Sequence, residues 1–262
     1  MSQSAFAVVL AAIFGLVIGS FLNVVIWRVP RGESVVRPAS HCPNCDREIR
    51  GRDNIPVLSW LVLRGKCRDC GSPISSRYPA VEALTAAVFV LLALRFGWDL
   101  QLISFCYLAA IGIALSAIDF DTRRLPDVIV LPSYGVGLVL LLLPAVFDHK
   151  WHNLFTGVLG AVALFGFYFV TWFIFPRGMG FGDVKLAGVL GLYLGWLGWG
   201  TLIVGAFLGF LVGALAGVLL IALSRAGRRS AIPFGPAMFV GTLLGILFGH
   251  SLSHWYLSIL GA

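Results

Sequence analysis

The chain has 262 residues, of which 59% are apolar and 12% are charged, and its formal net charge is +7. A soluble domain typically has about a quarter of its residues charged, so this composition excludes an ordinary soluble globular protein. Uncharged runs of roughly 20 residues recur along the chain, and runs of that length predict transmembrane helices. We therefore expect an all-α polytopic membrane protein.

Eight apolar runs predict membrane-spanning helices. The first has no basic segment before it and no small-residue cleavage site after it, so we predict a retained span rather than a signal peptide. The sixth is short and rich in Gly and Trp, and the break at 198–200 separates it from the seventh. The predicted spans are 5–27, 80–96, 101–118, 128–147, 154–175, 184–199, 201–224 and 235–257.

Basic residues are distributed unevenly between the two sides that these spans define. Four loops on one side contain 17 of the 19 Lys and Arg residues, so the positive-inside rule places that side in the cytoplasm and both termini outside it. This orientation signal accounts for the positive net charge and favours contact with membrane lipid over nucleic-acid binding. The four loops are 28–79, 119–127, 176–185 and 225–234.

The longest hydrophilic segment, 28–79, contains two C-x-x-C pairs separated by 21 residues. Two such pairs at this spacing are typical of a Cys₄ zinc site, and a segment of about 50 residues needs a metal because it cannot bury a sufficient core. A rubredoxin-like iron site and a disulfide or redox pair remain alternatives, although a reducing cytoplasm argues against disulfides. The predicted ligands are Cys42, Cys45, Cys67 and Cys70.

These features predict three segments. We expect a first transmembrane helix over 1–27, a cytoplasmic Cys₄ zinc module over 28–79 and a transmembrane core over 80–262.

Two aspartates lie in apolar surroundings at the ends of predicted spans. Asp119 ends the third span and Asp183 precedes the sixth, so the predicted topology puts both at the cytoplasmic side. A carboxylate beside hydrocarbon is costly and is by default a candidate functional group. Two carboxylates in one site share a proton, so one can activate water while the other polarises a carbonyl. The pattern predicts a membrane aspartyl protease, with helix capping or loop solvation as the alternative role of each aspartate.

Two further charged residues have open roles. Lys185 is either an ion-pair partner or an interfacial residue that extends its ammonium group to water, and the second role is favoured. Glu82 lies just inside the second span and is expected to pair with Arg77 or another cation, in a substrate-binding or a structural role.

Seven sets of motifs occur along nearly the whole chain. They are GSFLNVVIWRVP (19–30), CPNC and CRDC, NIPVLSW (54–60), RYPAVE (77–82), AIDFDTRRLPD (117–127), GMGFGDVK (178–185) and IPFGPAM (232–238). In these motifs the chain resembles the bacterial type IV prepilin peptidases, a family of G-x-G-D aspartyl proteases. The G-x-G-D motif alone is shared with presenilin-like proteases, whereas the set of motifs is specific.

The resemblance implies that Asp119 and Asp183 are the catalytic pair. It further implies cleavage of the basic leader of type IV prepilins and type II secretion pseudopilins after Gly, usually before Phe, at the cytoplasmic face of the inner membrane. Many members then N-methylate the new N-terminus with S-adenosylmethionine, and the paired cysteines mark the members associated with methylation. We therefore expect a bifunctional enzyme with structural zinc, although the residues that bind the methyl donor are not predicted.

Other function classes stay open. A transporter that couples carboxylates to proton movement would place them at mid-bilayer depth. A zinc-module scaffold without chemistry would tolerate Asp→Asn at both sites. A membrane redox protein would contain bound iron.

Overall fold

The computed structural model describes residues 3–176, 178–223 and 233–260, and the regular structure in these ranges is helical apart from two isolated β-bridges. The predicted basic loop 225–234 lies outside the described residues except for its last two. The helices are α1 (Gln3–Arg28), α2 (Leu58–Val62), α3 (Arg77–Phe96), α4 (Gln101–Thr122), α5 (Asp127–Phe147), α6 (Trp151–Ile174), α7 (Phe181–Trp196), α8 (Trp199–Ala222) and α9 (Gly235–Leu260).

Seven of these helices, all except α2 and α7, are long and apolar enough to cross a membrane. The predicted all-α polytopic membrane fold is therefore confirmed. The sixth predicted span corresponds to α7, which has only 16 residues. At 1.5 Å per residue it is about 24 Å long, shorter than a hydrocarbon core of about 30 Å. Nearly all of α7 from Asp183 to Trp196 is buried by protein, which explains why it has no polar face.

The described chain divides into two compact units. The N-terminal unit comprises Met1–Leu102 and Ala109–Ala114, and the C-terminal unit comprises Ile103–Leu108 and Leu115–Ala262. In the N-terminal unit α1 packs against α3 through Gly15 and Gly19. A Cβ on Gly19 would lie 2.7 Å from the Cα of Glu82, so only glycine permits this approach.

The C-terminal unit contains a helix pair, α6 and α7, that packs along a face of small residues. A Cβ on Gly160 would lie 2.6 Å from the Gly191 carbonyl oxygen, and one on Gly195 would lie 2.6 Å from the Thr156 carbonyl oxygen. Asn153 Nδ2 donates a hydrogen bond to the Trp196 carbonyl oxygen at 2.9 Å, so the start of α6 lies beside the end of α7. The two helices are therefore antiparallel.

Helices α8 and α9 form a second pair of the same kind. Gly209 faces Gly241, and a Cβ on Gly245 would lie 2.7 Å from the Cα of Gly205. Each helix carries glycines four residues apart, the spacing that lets two transmembrane backbones approach closely. The high glycine content of the chain, 31 residues, therefore has a packing explanation in these helices.

Candidate functional site

Asp119 lies in the last turn of α4 and is buried, with 5% of its surface exposed. The backbone N–H of Gly235, the first residue of α9, donates a hydrogen bond to Asp119 Oδ2 at 3.0 Å. A Cβ at Gly235 would lie 2.9 Å from that same oxygen, so a side chain at this position would displace the carboxylate or the start of α9. Gly235 is 116 residues from Asp119 in the chain, and only the fold shows that it holds this carboxylate.

Asp183 lies in the first turn of α7 and is also buried, with 9% exposure. Its Oδ2 accepts a hydrogen bond from the backbone N–H of Gly180 at 3.1 Å, an N-terminal capping contact. The capping role that the sequence left open is therefore present. The capping hydrogen bond uses Oδ2 of Asp183, and no hydrogen bond from the described residues reaches Oδ1.

The structure brings the two aspartates together within the C-terminal unit. The Leu125 side chain packs against both Gly182, which precedes Asp183, and Gly235, which binds Asp119. The two carboxylates are close enough for the charge of Asp119 to act on Asp183. Burial and mutual repulsion both disfavour a doubly ionised pair, which is the condition for sharing one proton.

Lys185 fixes the start of α7 to the start of α5. Its ammonium group contacts both carboxylate oxygens of Asp127 at 2.8 Å, so Lys185 has the ion-pair role, with Asp127 as its partner. The hydroxyl of Tyr134 donates a hydrogen bond to the Lys185 carbonyl oxygen at 2.6 Å. Both contacts lie within one turn of Asp183 and set its position relative to α5.

Sequence analysis missed Tyr168, a buried residue of α6 that interacts electrostatically with Asp183. Its ring stacks on Phe210 with 5.3 Å between centroids, and the Phe234 ring centroid is 6.3 Å away. The only signal in the sequence was a hydroxyl within an otherwise apolar aromatic run, 165–169.

In the N-terminal unit the four predicted metal ligands form one cluster. Their sulfur atoms all lie within 4.8 Å of one another, and those of Cys42 and Cys70 are 3.8 Å apart. That separation is far longer than a disulfide bond of about 2.05 Å, and it matches the roughly 3.8 Å between thiolates bound tetrahedrally at about 2.3 Å from zinc. The cluster can therefore hold a metal ion.

Hydrogen bonds prepare one of these thiols for metal binding. The Ser72 side chain lies 3.1 Å from the Cys70 sulfur and, with the Ser72 backbone and Asn44, lowers the pKa of Cys70 to about 6. A thiol with such a pKa is largely thiolate at neutral pH, and the thiolate is the form that binds metal.

Ion pairs fix the two cysteine knuckles in place. Arg68, inside the second C-x-x-C pair, makes a forked contact with Asp53 whose shortest distance is 2.6 Å. Its neighbour Asp69 accepts hydrogen bonds from Arg47 and Arg50, each at 3.1 Å. The two residues between the cysteines therefore connect the second knuckle to the loop before α2 and to the first knuckle.

Glu82 is a second buried carboxylate of the N-terminal unit, with 8% exposure. Its Oε2 accepts a hydrogen bond from the backbone N–H of Val57 at 2.7 Å. The predicted pairing with a cation is not seen, because among the described residues no Lys or Arg, Arg77 included, lies within ion-pair distance of Glu82.

Comparison with known proteins follows the same division of the chain. The profile of the bacterial peptidase A24 N-terminal domain matches residues 13–96, and that of the type IV leader peptidase family matches residues 106–222. A relative from Aeromonas hydrophila is 37% identical over 281 residues, covering 95% of this chain and 93% of the relative. The chain belongs to the type IV leader peptidase family. The family resemblance and the expectation of an enzyme are thereby confirmed, because this is an aspartic peptidase family.

Further relatives in the type IV leader peptidase family show similar coverage. One from Neisseria gonorrhoeae is 38% identical and covers 90% of this chain and 89% of its own length. One from Pseudomonas aeruginosa is 35% identical and covers 95% of this chain and 93% of its own length. All three bear the name prepilin leader peptidase/N-methyltransferase. No solved structure matches the chain.

Proposed function

We propose that this protein removes the leader peptide of type IV prepilins and type II secretion pseudopilins and then methylates the new N-terminal amine. The relatives' shared name supports both activities. The observation that carries the peptidase assignment is the pair of buried carboxylates, Asp119 and Asp183, each bound through Oδ2 to a glycine N–H.

Asp119 and Asp183 act as a single acid–base unit in this proposal. One carboxylate takes a proton from the attacking water while the other, protonated, donates a hydrogen bond to the scissile carbonyl. The N–H groups of Gly235 and Gly180 hold one oxygen of each carboxylate, which leaves the other oxygen of each to act on substrate and water in this proposal. The glycines before Asp183 leave room for an extended substrate backbone.

The proposed reaction occurs at the cytoplasmic face of the bacterial inner membrane, with both termini periplasmic. This orientation follows from the 17 of 19 basic residues on one side of the predicted topology. A substrate with an apolar helix and a basic leader would lie in the membrane with its leader on that side. The helices of the C-terminal unit and the surrounding lipid would contact its apolar part.

The N-terminal unit is proposed to hold structural zinc and to support methylation with S-adenosylmethionine as donor. Cys42, Cys45, Cys67 and Cys70 would fill all four tetrahedral positions, which leaves no position for a catalytic water. Zinc would therefore fix the fold of a module over 28–79 between the first helix, 1–27, and the core, 80–262. A transporter or a scaffold without chemistry is not favoured by any of these observations.

The peptidase mechanism is tested with purified protein and a prepilin in lipid vesicles. Asp119→Asn and Asp183→Asn should each lower the cleavage rate at least 10³-fold, because an amide cannot share the proton. Asp121→Asn is the matched control: Asp121 is exposed two residues after Asp119, and its variant should cleave normally. Mass spectrometry with and without S-adenosylmethionine reads both product masses. Normal cleavage by either site variant would refute the carboxylate pair.

A further inference from the structure

Glu82 has an arrangement that the peptidase reaction does not use. It lies in the second turn of α3, is nine-tenths buried, and has Val57 N–H as its one hydrogen-bond donor. That donor occupies Oε2, whereas Oε1 accepts no hydrogen bond within the described chain and is not a fully enclosed atom. Oε1 is therefore the atom at which a cation or a proton donor can reach this buried carboxylate, and such a partner would offset the cost of burying the charge.

The backbone that faces Glu82 is strained. Val57 has φ 61° and ψ −49°, and Leu58 N donates to the Pro56 carbonyl oxygen at 2.6 Å. This is a classic γ-turn, which is rare and is especially unfavourable for a β-branched residue. Strain of this kind persists where the surroundings enforce it, and it clusters at functional sites. Glu82 enforces it here by accepting the Val57 N–H.

No charged group on the neighbouring elements neutralises Glu82. On α1, Gly19 lies against Glu82 and Asn23 donates to the Tyr78 carbonyl oxygen, and both are uncharged. Arg28 at the end of α1 donates to the Ser34 and Pro38 carbonyl oxygens. The helix α2 itself has no charged residue.

The charged groups that flank these elements do not neutralise Glu82 either. Before α2, Asp53 pairs with Arg68, and at the start of α3 Arg77 makes no ion pair with Glu82 in the described part of the chain. Arg64 and Lys66 follow the far end of α2. The site therefore offers one negative charge without a counter-ion from the described protein.

We propose that Glu82 is the general base of methyl transfer and binds the acceptor's N-terminal ammonium group at its unoccupied oxygen. This inference rests on the proposed methyltransferase activity. The family profile that contains both aspartates begins only at residue 106, so the second activity is best assigned to the unit matched over 13–96, which contains Glu82. Both the acceptor ammonium and the donor sulfonium are cationic, which fits an unpaired buried carboxylate.

The proposed step is balanced without any further reactant. The Glu82 carboxylate takes one proton from the –NH₃⁺ group of the cleaved substrate. The nitrogen lone pair then attacks the methyl carbon of S-adenosylmethionine, and the electrons of the breaking carbon–sulfur bond remain on sulfur as a thioether. The product is the N-methylated ammonium group with S-adenosylhomocysteine, and Glu82 returns its one proton to water.

The test compares full-length wild type with Glu82→Gln, which keeps an oxygen to accept the Val57 N–H but cannot take a proton. The acceptor is a synthetic apolar peptide with a free N-terminal Phe, so methylation is measured without prior cleavage. At pH 6.5 the variant should methylate at least 10-fold more slowly than wild type. Between pH 6.5 and 9.0 its rate should rise about 20-fold, because an α-amine with a pKa of about 7.7–8.0 loses its proton over that range.

Two controls separate this inference from its alternatives. Glu48→Gln changes an exposed carboxylate of the same unit and should methylate like wild type at every pH. Glu82→Gln should bind as much metal at the four cysteines as wild type, which shows that the N-terminal unit is folded, and its leader cleavage should be normal. Absence of methylation by wild type would refute the proposed function itself. Normal methylation by Glu82→Gln at pH 6.5 would refute only the role of Glu82, as would a methylation defect that high pH does not relieve in a variant that retains its metal.

Discussion

The two units position their reactive groups by opposite physical means. In the N-terminal unit, polar cross-links dominate: four sulfur atoms lie within 4.8 Å of one another, and ion pairs of Arg68 and Asp69 connect the knuckles. In the C-terminal unit, helices pack through glycine faces, and the two aspartates are held by single backbone N–H groups in apolar surroundings. The first arrangement depends on metal and charge, whereas the second depends on close backbone packing.

Metal removal should have the largest effect, and it should affect the N-terminal unit far more than the C-terminal unit. Cys45→Ser, or treatment with a strong chelator, should unfold the knuckles, because structural zinc in small modules contributes about 10–16 kcal/mol of binding free energy. Methylation should fall at least 100-fold, whereas leader cleavage should change by less than about threefold because the C-terminal unit contains no metal ligand from the cluster. Metal analysis and the two activity assays check this. Full metal content and normal methylation in Cys45→Ser would contradict the assignment of this cysteine as a ligand.

A methyl group at Gly235 should have the opposite effect and reduce cleavage without reducing methylation. Its Cβ would lie 2.9 Å from Asp119 Oδ2, so Gly235→Ala must displace the carboxylate or the start of α9. Displacements of this size in a catalytic group cost roughly 10²-fold in rate, so we expect a 10- to 100-fold loss of cleavage with methylation of the free peptide unchanged.

Gly166→Ala is the matched control for that variant, because no atom lies within 4 Å of a Cβ at this position. It should cleave at the wild-type rate. Equal rates for Gly235→Ala and Gly166→Ala would show that the contact with Asp119 does not position the carboxylate.

The ion pair between Lys185 and Asp127 should have the smallest effect. The Asp127 side chain is 54% exposed, so water screens the pair and its coupling energy should be about 0.2–1 kcal/mol. Lys185→Ala should therefore reduce the cleavage rate by only about two- to fivefold. Added salt should make the difference in cleavage rate between wild type and Lys185→Ala smaller. A double-mutant cycle with Asp127→Ala measures the coupling. An effect as large as that of Asp183→Asn would instead give Lys185 a direct role in catalysis.

Local sequence signals predicted the elements and the metal cluster well. Long apolar runs indicated the spans, and the C-x-x-C spacing indicated four thiols that the fold indeed brings together. Both patterns are local, because a helix length and a pair of ligands each depend on a few neighbouring residues.

Partners distant in the chain could not be predicted in the same way. The Asp119–Gly235 contact joins residues 116 positions apart, the Lys185–Asp127 pair joins residues 58 apart, and Glu82–Val57 joins residues 25 apart. Each depends on how helices pack, and no hydropathy or motif pattern encodes that geometry. For the same reason the sequence showed that the sixth span is short, but it did not show that other helices bury α7.

The glycine faces of α8 and α9 have a consequence for genetics. A side chain at Gly241 would meet the backbone of Gly209, and one at Gly245 would meet Gly205. Alanine there leaves the charge unchanged and has the higher helix propensity, yet it forces two helices apart. A random screen for loss of leader cleavage should therefore recover conservative Gly→Ala alleles scattered along α8 and α9, far from either aspartate in the sequence.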